Sequence, residues 1–451
     1  MASTYINSPN GTGTDPQIAT FSMWFKITKP EANEVYLFSG GDGGTNNSWL
    51  RIQGSGELYF RNRTDNSNDC IIQTSAKYRD VNGWYHVVLK LNSTLSTASD
   101  RATMYINGEE ITSLSSSIDM TQNNLFHMFG STQTHIGKRV NDGSTGHIGG
   151  FLASHVHFCD GYAYDASYFG STDSTTGEWK INTSPSVTYG TRGFFILKDG
   201  NSVTDQSGNG NNFTVAGGTL TDLKDNPENV FATMNPLQHS DSGQTLSNGN
   251  LTATNSGSFS ITNSSTICNN IGKYYAECKI QSIGDSDTGI IIGFINVDKE
   301  SFQNIASTDY YPGDKPYGAG WYSANGSVYI NQSGVLSLNS FTTGDVLQFA
   351  MDLDNGYFYF GKNGTWQNSA NPTSGSTGTG GLALSSMGSS GDTFTFGSST
   401  KNNAITNYNF GNGYFGTTAV SSAGTNASNN GIFEYDVPTG YTALSTKGLN
   451  L

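Results

Sequence analysis

The chain has 451 residues, a formal net charge of −14 at pH 7 and only 13% charged residues, with no run of Lys and Arg longer than two. Nucleic acid is therefore not an expected partner, because binding phosphates requires clustered positive charge. No apolar run is long enough for membrane insertion. The 56 Gly residues, together with abundant Asn, Ser and Thr, are typical of short β-strands joined by turns.

Residues 1–180 alternate apolar and polar side chains in short stretches separated by Gly, Asn and Asp, which predicts an antiparallel β-sandwich. The first stretch would place four apolar side chains on one face: Phe21, Met23, Phe25 and Ile27. Asn107-Gly108 predicts a two-residue hairpin turn, because both residue types tolerate positive φ. We expect this sandwich to be the first domain.

Residues 181–245 have the composition of a loop but contain apolar residues that would anchor them: Phe213, Phe231 and Leu237. Flexible linkers lack such aromatics, so we predict a packed connector. Over 246–451 the strand pattern resumes, with one short helix predicted at 297–305. The predicted fold class is all-β, with two antiparallel β-sandwich domains in tandem.

Two Asn-Gly pairs enclose an aromatic stretch in the second domain, LDNGYFYFGKNGTW at 353–366. Asn-Gly favours type I′ turns, and the aromatic residues between the pairs favour extended chain. The stretch predicts three antiparallel strands in series, joined at Asn355-Gly356 and Asn363-Gly364.

The cysteine and histidine spacings do not indicate a metal site. The four cysteines form no Cys-x-x-Cys pair and have no His at zinc-finger spacing: Cys70, Cys159, Cys268 and Cys278. We expect free thiols, most of them buried. His155 and His157 would share a strand face, but two ligands do not make a metal site.

Several stretches of the first domain resemble the laminin-G-like, concanavalin-A-like jelly rolls: FSMWFKI, GWYHVVLKLN, ATMYINGEEI and IGKRVNDGSTGHIGGFLASHVHF. Stretches of the second domain resemble a SPRY domain: GKYYAECKI, IIIGFIN, YGAGWYSANGSVY and FTTGDVLQFAMDLDNGYFYFGKNGTW. The resemblance implies two jelly-roll sandwiches and, for the SPRY-like half, partner binding through loops at the sandwich edge.

The joining and closing segments resemble those of marine bacteriophage virion proteins that combine these two modules: DGYAYDASYFGSTDSTTGEWKI, TDQSGNGNNFT, DNPENVFATMNPL and YDVPTGYTALSTKGLNL. This resemblance spans nearly the whole chain. It implies a tail-fibre-like or lectin-like protein on the virion surface, with other capsid or tail proteins as partners and a homo-oligomer by analogy. The first residues lack a secretory signal, which predicts synthesis in the host cytoplasm.

Catalytic patterns do not occur in the sequence. Concanavalin-A-like glucanases, which resemble this fold, carry their carboxylates on one strand as Glu-x-Asp-x-x-Glu, and no such string is present. Asp352 and Asp354 share a strand face but precede a turn, where Asp commonly makes local hydrogen bonds. With no Gly-x-Ser-x-Gly elbow and no His-Glu-x-x-His, we predict that the protein is not an enzyme.

Ligand-binding residues are predicted in the loop STDYYPGDKPYGAGWY of the second domain. Loops at a sandwich edge tolerate aromatic and acidic residues because the sheets hold them in place. Beside Asp309, the predicted binding residues are Tyr310, Tyr311, Asp314, Tyr317, Trp321 and Tyr322. The alternative is that Trp321 and Tyr317 belong to the core and that only Tyr310 and Tyr311 are exposed.

Calcium is the one cofactor that the resemblance suggests. Laminin-G-like domains resemble one another in using an Asp from the loop after their early strands, and FSGGDGGTNNSW offers Asp42 there. The Asn-Asn-Ser that precedes the next strand departs from the family pattern, and calcium takes six to eight oxygen ligands. Asp42 is therefore a candidate metal ligand, and no other cofactor is predicted.

The leading functional prediction is a non-enzymatic virion surface protein, tail-fibre-like or knob-like, that contacts host-surface glycans. The alternative is an architectural capsid decoration protein without a host ligand, which is favoured by the lack of a heptad or repeat stretch suitable for a stalk. A glycan-degrading depolymerase is a third hypothesis.

Overall fold

Antiparallel β-sheets make up nearly all of the regular structure in both units of the chain. The computed structural model describes residues 4–11, 13–28, 34–42, 44–128, 134–140, 150–198, 202–237, 244–257, 261–285, 289–299 and 310–448. The first unit comprises Met1–Asp222 with Asn226–Glu228, and the second comprises Leu223–Asp225 with Asn229–Leu451. The predicted all-β fold class with antiparallel sheets is confirmed.

The first unit contains sixteen strands in the described part of the chain: β1 (Tyr5–Asn7), β2 (Ile18–Ile27), β3 (Val35–Gly41), β4 (Asn47–Ile52), β5 (Glu57–Thr64), β6 (Ser67–Lys77), β7 (Tyr85–Asn92), β8 (Ala102–Ile106), β9 (Glu109–Glu110), β10 (Leu114–Ile118), β11 (His135–Ile136), β12 (Phe151–Asp160), β13 (Gly170–Thr172), β14 (Trp179–Ile181), β15 (Phe194–Ile196) and β16 (Thr214–Gly217). Short 3-10 helices lie at Ala98–Asp100 and Ala166–Tyr168.

These strands form two large sheets and one small ribbon. The eight-stranded sheet has the order β10-β6-β5-β4-β3-β11-β1-β16, and the six-stranded sheet has the order β15-β12-β2-β7-β8-β9, while β13 pairs with β14. A core of apolar side chains from both sheets includes the predicted set from β2: Phe21, Met23, Phe25 and Ile27. Asn107 and Gly108 join β8 to β9 with φ values of 47° and 86°, as the hairpin prediction requires.

The structure extends the first unit beyond the predicted boundary at residue 180. β15 pairs with β12 in the six-stranded sheet, and β16 pairs with β1 at the edge of the eight-stranded sheet. The segment 181–222 therefore adds strands to both sheets. Phe213 is buried in the first core and Phe231 in the second unit, but Leu237 is 64% exposed, so its predicted anchoring role is wrong.

The segment that follows β12 in the sequence covers the outer face of the six-stranded sheet. Val88 and Cys159, which lie on that face, pack with Phe169 and with half-buried Trp179 and Tyr189. As a result all residues of β2 after Ile18 are buried, polar ones included. A strand with one solvent-exposed face would expose every second residue. The burial of consecutive residues therefore shows that a second layer of chain covers this sheet.

Three histidines are buried beneath this cover: His86, His155 and His157. Nε1 of Trp179 donates a hydrogen bond to Nδ1 of His86 at 3.0 Å, and Nε2 of His86 lies 2.8 Å from Ser22 Oγ. Nδ1 of His157 lies 3.0 Å from Tyr189 Oη. In the described residues no three potential metal ligands come together.

The second unit contains seventeen strands in the described residues: β17 (Gln244–Ser247), β18 (Thr252–Asn255), β19 (Ile261–Ser264), β20 (Lys273–Ser282), β21 (Ile290–Asn296), β22 (Gly318–Tyr322), β23 (Ser327–Ile330), β24 (Ser333–Ser337), β25 (Val346–Asp352), β26 (Tyr357–Lys362), β27 (Thr365–Trp366), β28 (Leu382–Ala383), β29 (Phe394–Thr400), β30 (Ala404–Asn409), β31 (Tyr414–Phe415), β32 (Thr418–Ala419) and β33 (Thr442–Ala443). Short 3-10 helices lie at Gly375–Thr377 and Leu384–Ser386. The helix predicted at 297–305 falls mostly outside the described residues.

One large sheet of this unit has the order β17-β18-β30-β20-β25-β26-β27, with β28 beside β26 and β33 parallel to β20. The facing sheet has the order β19-β29-β21-β22-β23-β24, and β31 pairs with β32. Apolar residues from both sheets form the second core. In the part of the chain that the structure covers, no helix has the length and apolar character needed to cross a membrane.

The three strands predicted around the two Asn-Gly pairs are confirmed as β25, β26 and β27. Asn363 and Gly364 form the predicted two-residue turn, with φ values of 49° and 82°. The other pair does not, because Asn355 lies in a four-residue loop that Gly356 closes by donating to Asp352 O at 2.9 Å. Only Gly356 of that pair has a positive φ.

The four cysteines are free, as predicted. Cys70, Cys159 and Cys278 are buried, and Cys268 is exposed.

Protonation of the buried histidines predicts acid destabilisation of the first unit. Burial, and then the neighbouring His155, lower the pKa of His86 to about 3. Between pH 6.5 and pH 3 the unfolded chain binds a proton that the folded chain excludes, so stability is fully present above pH 6.5 and declines as pH falls. The His86 share of this loss is about 2 kcal/mol at pH 5. Urea unfolding should show a smaller difference between pH 7.5 and pH 5 in His86→Gln than in the parent, and equal differences would contradict this assignment.

Candidate functional site

The predicted tyrosine loop is partly exposed but does not form a single platform. Tyr317 is 37% exposed, and Tyr310 and Tyr311 are half-buried. Asp314 is engaged locally, because its Oδ1 accepts from Gln332 Nε2 at 2.8 Å and its Oδ2 pairs with Lys315 Nζ at 3.0 Å. Asp309 lies outside the described residues.

Trp321 lies in the second core and has no exposed surface. Its ring packs edge-on against Phe341 at 5.1 Å, and its Nε1 donates to Asn339 O at 3.2 Å. Tyr322, the next residue on β22, is half-buried and packs against Tyr329. Because neighbouring strand residues point to opposite faces, Trp321 and Tyr322 cannot contact one ligand, and Trp321 is unavailable as a binding residue.

Asp42 uses its carboxylate to shape its own loop. Oδ1 accepts from the backbone N of Gly44 at 2.8 Å and of Asn46 at 2.9 Å, and Oδ2 accepts from Asn46 Nδ2 at 3.0 Å. Burial raises the pKa of Asp42, but these hydrogen bonds outweigh it and hold the pKa below its usual value. The arrangement is that of a loop-stabilising Asp, and calcium at Asp42 stays a prediction.

Asp352 and Asp354 also have structural partners. Asp352 is fully buried, forms an ion pair with Lys273 at 3.0 Å and accepts hydrogen bonds from Asn355. Asp354 accepts from the backbone N of Gly272 at 2.7 Å. Both carboxylates thus hold the turn between β25 and β26 against the start of β20.

One open cavity in the described part of the second unit was not indicated by the sequence. We call it the C-terminal cleft, and its volume is about 590 Å³. It lies where the end of the chain crosses the outer face of the β20-β25-β26 sheet. Its lining residues are Gln348, Gly364, Trp366, Ser422, Ala423, Gly424, Thr425, Glu434, Tyr435 and Asp436.

A chain of buried hydrogen bonds joins the two walls of the C-terminal cleft. On one wall the backbone N of Gly364 donates to Gln348 Oε1 at 2.7 Å, and Gln348 Nε2 lies 3.2 Å from Tyr275 Oη. The Tyr275 hydroxyl donates to Glu277 Oε1 at 3.0 Å, and the same oxygen accepts from the backbone N of Tyr435, on the other wall, at 2.8 Å. The walls are therefore linked through the sheet.

Glu277 is the centre of this chain. It is 1% exposed, and its Oε2 accepts from the backbone N of Glu434 at 2.8 Å and from Asn409 Nδ2 at 3.3 Å. Burial raises the pKa of Glu277 to about 7, although the hydrogen bonds from Glu434, Tyr435 and Tyr275 act in the opposite direction. Since both oxygens already have two donors each, Glu277 holds the wall and presents no free oxygen to a substrate.

Two glycines make room for the aromatic walls. A Cβ at Gly364, which has a φ of 82°, would lie 3.0 Å from ring atoms of Tyr435, so the ring packs on the turn itself. A Cβ at Gly361 would lie 3.2 Å from Trp366 and 3.0 Å from Gln348. The Asn363-Gly364 turn thus both connects the hairpin and contributes to the wall of the cleft.

The cleft combines ring faces with hydrogen-bonding groups. Trp366 and Tyr435 are half-buried, and neither the indole N–H nor the phenol O–H is used by a partner in the described residues. Asp436 Oδ1 accepts from the backbone N of Thr425 at 2.7 Å and from its hydroxyl, and these bonds hold the pKa of Asp436 below its usual value. The site therefore offers free donors beside an ionised acceptor.

A second group of exposed rings lies in the first unit, and we call it the tyrosine stack. Tyr162 and Tyr168 are 38% and 42% exposed, with Tyr164 between them. The rings of Tyr162 and Tyr164 are stacked at 6.1 Å, and those of Tyr164 and Tyr168 are tilted at 4.6 Å. The hydroxyl of Tyr164 in this group accepts a hydrogen bond from the backbone N of Thr188 at 3.0 Å.

The family comparison concerns the first unit. The matching model is that of the laminin-G type described as the concanavalin A-like lectin/glucanases superfamily, and it covers residues 1–151. This agrees with the resemblance in the first domain. A comparison with curated proteins gives no match.

Solved structures with similar folds include the SPRY domain of human HERC1, at 15% identity, 39% of this chain, 96% of that chain and a TM-score of 0.28. A heptameric SAP-like pentraxin from Limulus polyphemus shares 14% identity over 47% of this chain and 88% of that chain, with a TM-score of 0.30. A Bacteroides ovatus protein with a suggested role in carbohydrate binding shares 15% identity over 49% of this chain and 59% of that chain, with a TM-score of 0.35. At identities and TM-scores this low, no functional statement rests on these structures.

Removing the charge of Glu277 should remove a pH dependence of the second unit. With a folded pKa raised from 4.5 to about 7, the folded chain binds the extra proton, so this contribution is fully present below pH 4.5 and is lost as pH rises to 7. This loss of folding stability with rising pH, about 3 kcal/mol at most, should be absent from Glu277→Gln, because the amide does not titrate. Although the amide costs a hydrogen bond at every pH, its stability deficit relative to the parent should shrink from pH 5 to pH 8 in urea unfolding. Glu109→Gln, at an exposed glutamate, should show no such trend, and a constant deficit in Glu277→Gln would contradict the assignment.

Proposed function

We propose that the protein is a non-enzymatic glycan-binding protein and that the C-terminal cleft is its sugar site. The observation that carries this proposal is the pairing of Trp366 and Tyr435 on the two tied walls of a cavity of about 590 Å³. That volume lies in the range of small-molecule sites, and a few fixed polar groups beside apolar rings are typical of such sites.

The chemistry of the cleft suits a saccharide. A pyranose has apolar faces formed by its C–H groups, which pack on aromatic rings, and hydroxyls that both donate and accept. The free N–H of Trp366 and O–H of Tyr435 can donate to those hydroxyls, and Asp436 can accept from them. Because the walls are fixed by Glu277 before a ligand arrives, less conformational entropy is lost on binding.

The same geometry supports a role without catalysis. Glycoside hydrolysis usually needs one carboxylic acid and one carboxylate on opposite sides of the scissile bond. Glu277 has the raised pKa of an acid but points its oxygens at the protein backbone. Glu434 is held by Ser421, which donates to it from its backbone N at 2.7 Å and from its hydroxyl.

We further propose that the protein is displayed on a bacteriophage virion, as a tail-fibre-like or knob-like appendage that contacts host-surface polysaccharide. The proposal is supported by the resemblance of the joining segments to virion proteins of this kind. Attachment to other capsid or tail proteins, assembly as a homo-oligomer and synthesis in the host cytoplasm belong to the same proposal. The competing role, capsid decoration without a host ligand, differs from it in a measurable way.

Glycan binding should depend on the walls of the C-terminal cleft. Against a panel of neutral bacterial oligosaccharides, Trp366→Ala and Tyr435→Ala should each weaken binding at least tenfold, because a lost ring contact of about 1.4 kcal/mol corresponds to that factor. Isothermal titration calorimetry measures the affinity. Tyr317→Ala in the predicted tyrosine loop and Tyr168→Ala in the tyrosine stack remove rings that are more exposed than those of Trp366 and Tyr435, and should leave the affinity unchanged.

Four results would contradict the proposal. Loss of binding in Tyr317→Ala or Tyr168→Ala, but not in Trp366→Ala, would move the sugar site away from the cleft. Failure of the protein to bind any host polysaccharide or to block phage adsorption would favour the decoration role. Absence of the protein from purified virions would remove the virion assignment, and release of reducing sugar would make the protein an enzyme.

A further inference from the structure

A group of arginines stacked on aromatic rings lies on the face of the eight-stranded sheet that is turned away from the first core. Tyr36 and Trp49 are buried there, whereas Arg51, Tyr59 and Arg61 are half-buried. We define the arginine–aromatic ladder as five residues of β3, β4 and β5: Tyr36, Trp49, Arg51, Tyr59 and Arg61. The strand register pairs Arg51 with Tyr36 on one side and with Tyr59 on the other, and pairs Trp49 with Arg61. Rings and cations therefore alternate across the sheet, and the intervening strand residues Leu50 and Phe60 fill the core.

The rings hold the guanidinium groups in place. The guanidinium carbon of Arg61 lies 3.5 Å from the ring centroid of Trp49, and that of Arg51 lies 4.7 Å from the centroid of Tyr59 and 5.7 Å from that of Tyr36. Stacking of this kind fixes the plane of the guanidinium. Both arginines are thus ordered before an anion arrives, which lowers the entropic cost of binding.

The positive charge of the ladder is only partly neutralised. Arg51 forms an ion pair with Glu34. Within the described residues Arg61 has no carboxylate partner and donates only to Asn47 Oδ1, at 2.7 Å. Arg63, two positions further on β5, donates to the side-chain oxygen of Asn66 at 2.6 Å and has no carboxylate partner in the same described part. Arg61 and Arg63 thus provide local positive charge on a chain whose net charge is −14.

Buried donors on the same face lack acceptors. Trp49 is 5% exposed, and its Nε1 has no hydrogen-bond partner in the described residues, nor do the Nε atoms of Arg51 and Arg61. A buried donor left without an acceptor reduces the stability of the fold. Burial lowers the pKa of Arg61 to about 10, and the neighbouring charges of Arg63 and Arg51 act in the same direction. The guanidinium of Arg61 is still charged at neutral pH. This face of the sheet therefore holds a cationic group whose partial burial reduces the stability of the fold.

We propose that the arginine–aromatic ladder, together with Arg63, binds anionic saccharides through their uronate carboxylates or sulfate esters. Planar guanidinium groups match both anions, and the charge is complementary. The inference rests on the proposed function only in taking a glycan as the ligand, and it places a second site on the other unit. Nucleic acid is the less favoured ligand, because two free arginines on an acidic chain cannot neutralise a run of phosphates.

The test uses three oligosaccharides of equal length: an oligogalacturonate, a sulfated galactan fragment and a neutral dextran. Calorimetry on the full chain at about 50 mM salt, where screening is weak, should detect at least one of the two anionic probes. Arg61→Gln should weaken that binding at least fivefold. Arg61→Lys should weaken it less, because it keeps the charge but loses the planar fork. Lys90→Gln, which removes one positive charge from β7 in the other sheet, should change nothing.

The outcomes separate this inference from the sugar site in the C-terminal cleft. Binding of the uronate or of the sulfate identifies the anion, and its persistence in Trp366→Ala would support two independent sites. Arg63→Gln provides the same test if thermal unfolding shows that Arg61→Gln is not folded. Binding of neither anionic probe, equal affinity of the parent and the arginine variants, or tighter binding of a DNA oligonucleotide than of either glycan would overturn the inference.

Discussion

The buried carboxylate of Glu277 is the constraint on which the C-terminal cleft depends. It lies on β20 between Asn409 of β30 and Gln348 of β25, which are its direct cross-strand neighbours. A carboxylate removed from water is strongly destabilising unless it is hydrogen-bonded. The backbone N–H groups of Glu434 and Tyr435 supply two of its four bonds, so the closing segment cannot leave the sheet without exposing an unsatisfied charge. The cleft is therefore a consequence of one buried polar group.

The two units share one structural feature: in each, a segment that follows the covered strands in the sequence packs on the outer face of a sheet. In the first unit the segment around Phe169 and Trp179 covers β2, β7 and β12. In the second unit Phe433, Val437 and Tyr441 pack on Tyr275 and Tyr359. Covering an outer face buries positions that a strand pattern assigns to solvent, and the buried polar residues there, His86 and Glu277, are each paired. The half-buried rings of Trp366 and Tyr435, which line the C-terminal cleft, lie beside this covering segment.

The sequence predicted the strands well, because alternation and turn chemistry are local. Phe21, Met23, Phe25 and Ile27 pack in the core, and Asn107-Gly108 and Asn363-Gly364 turn as expected. Asn355-Gly356 differs because Asp352 accepts hydrogen bonds from Asn355 and favours a longer loop. The end of the first unit differs because β15 and β16 are short, and their pairing partners lie far away in the chain.

The proposed binding surfaces were harder to predict, because they are assembled from distant residues. Trp321 and Tyr317 belong to one aromatic loop, but one ring fills the core and the other is exposed. Trp366 and Tyr435 lie far apart in the sequence, with several strands of the second unit between them. Neither local sequence indicates that the two residues line one cavity. The signal that could have found the cleft is Glu277, an acidic residue beside Tyr275 on a strand whose outer face also carries aromatics. The arginines of the ladder are dispersed in sequence and adjacent only through strand register.

The most direct test is hydrogen–deuterium exchange of the backbone amides of Glu434 and Tyr435 in the intact protein. If these N–H groups are fixed by Glu277, they should exchange as slowly as amides inside β20 and β25, and Glu277→Ala should release them without affecting the first unit. Exchange as fast as that of the neighbouring amides of Ser422 and Ala423 in the parent protein would show that no such anchor exists, and the cleft would then lose its physical basis.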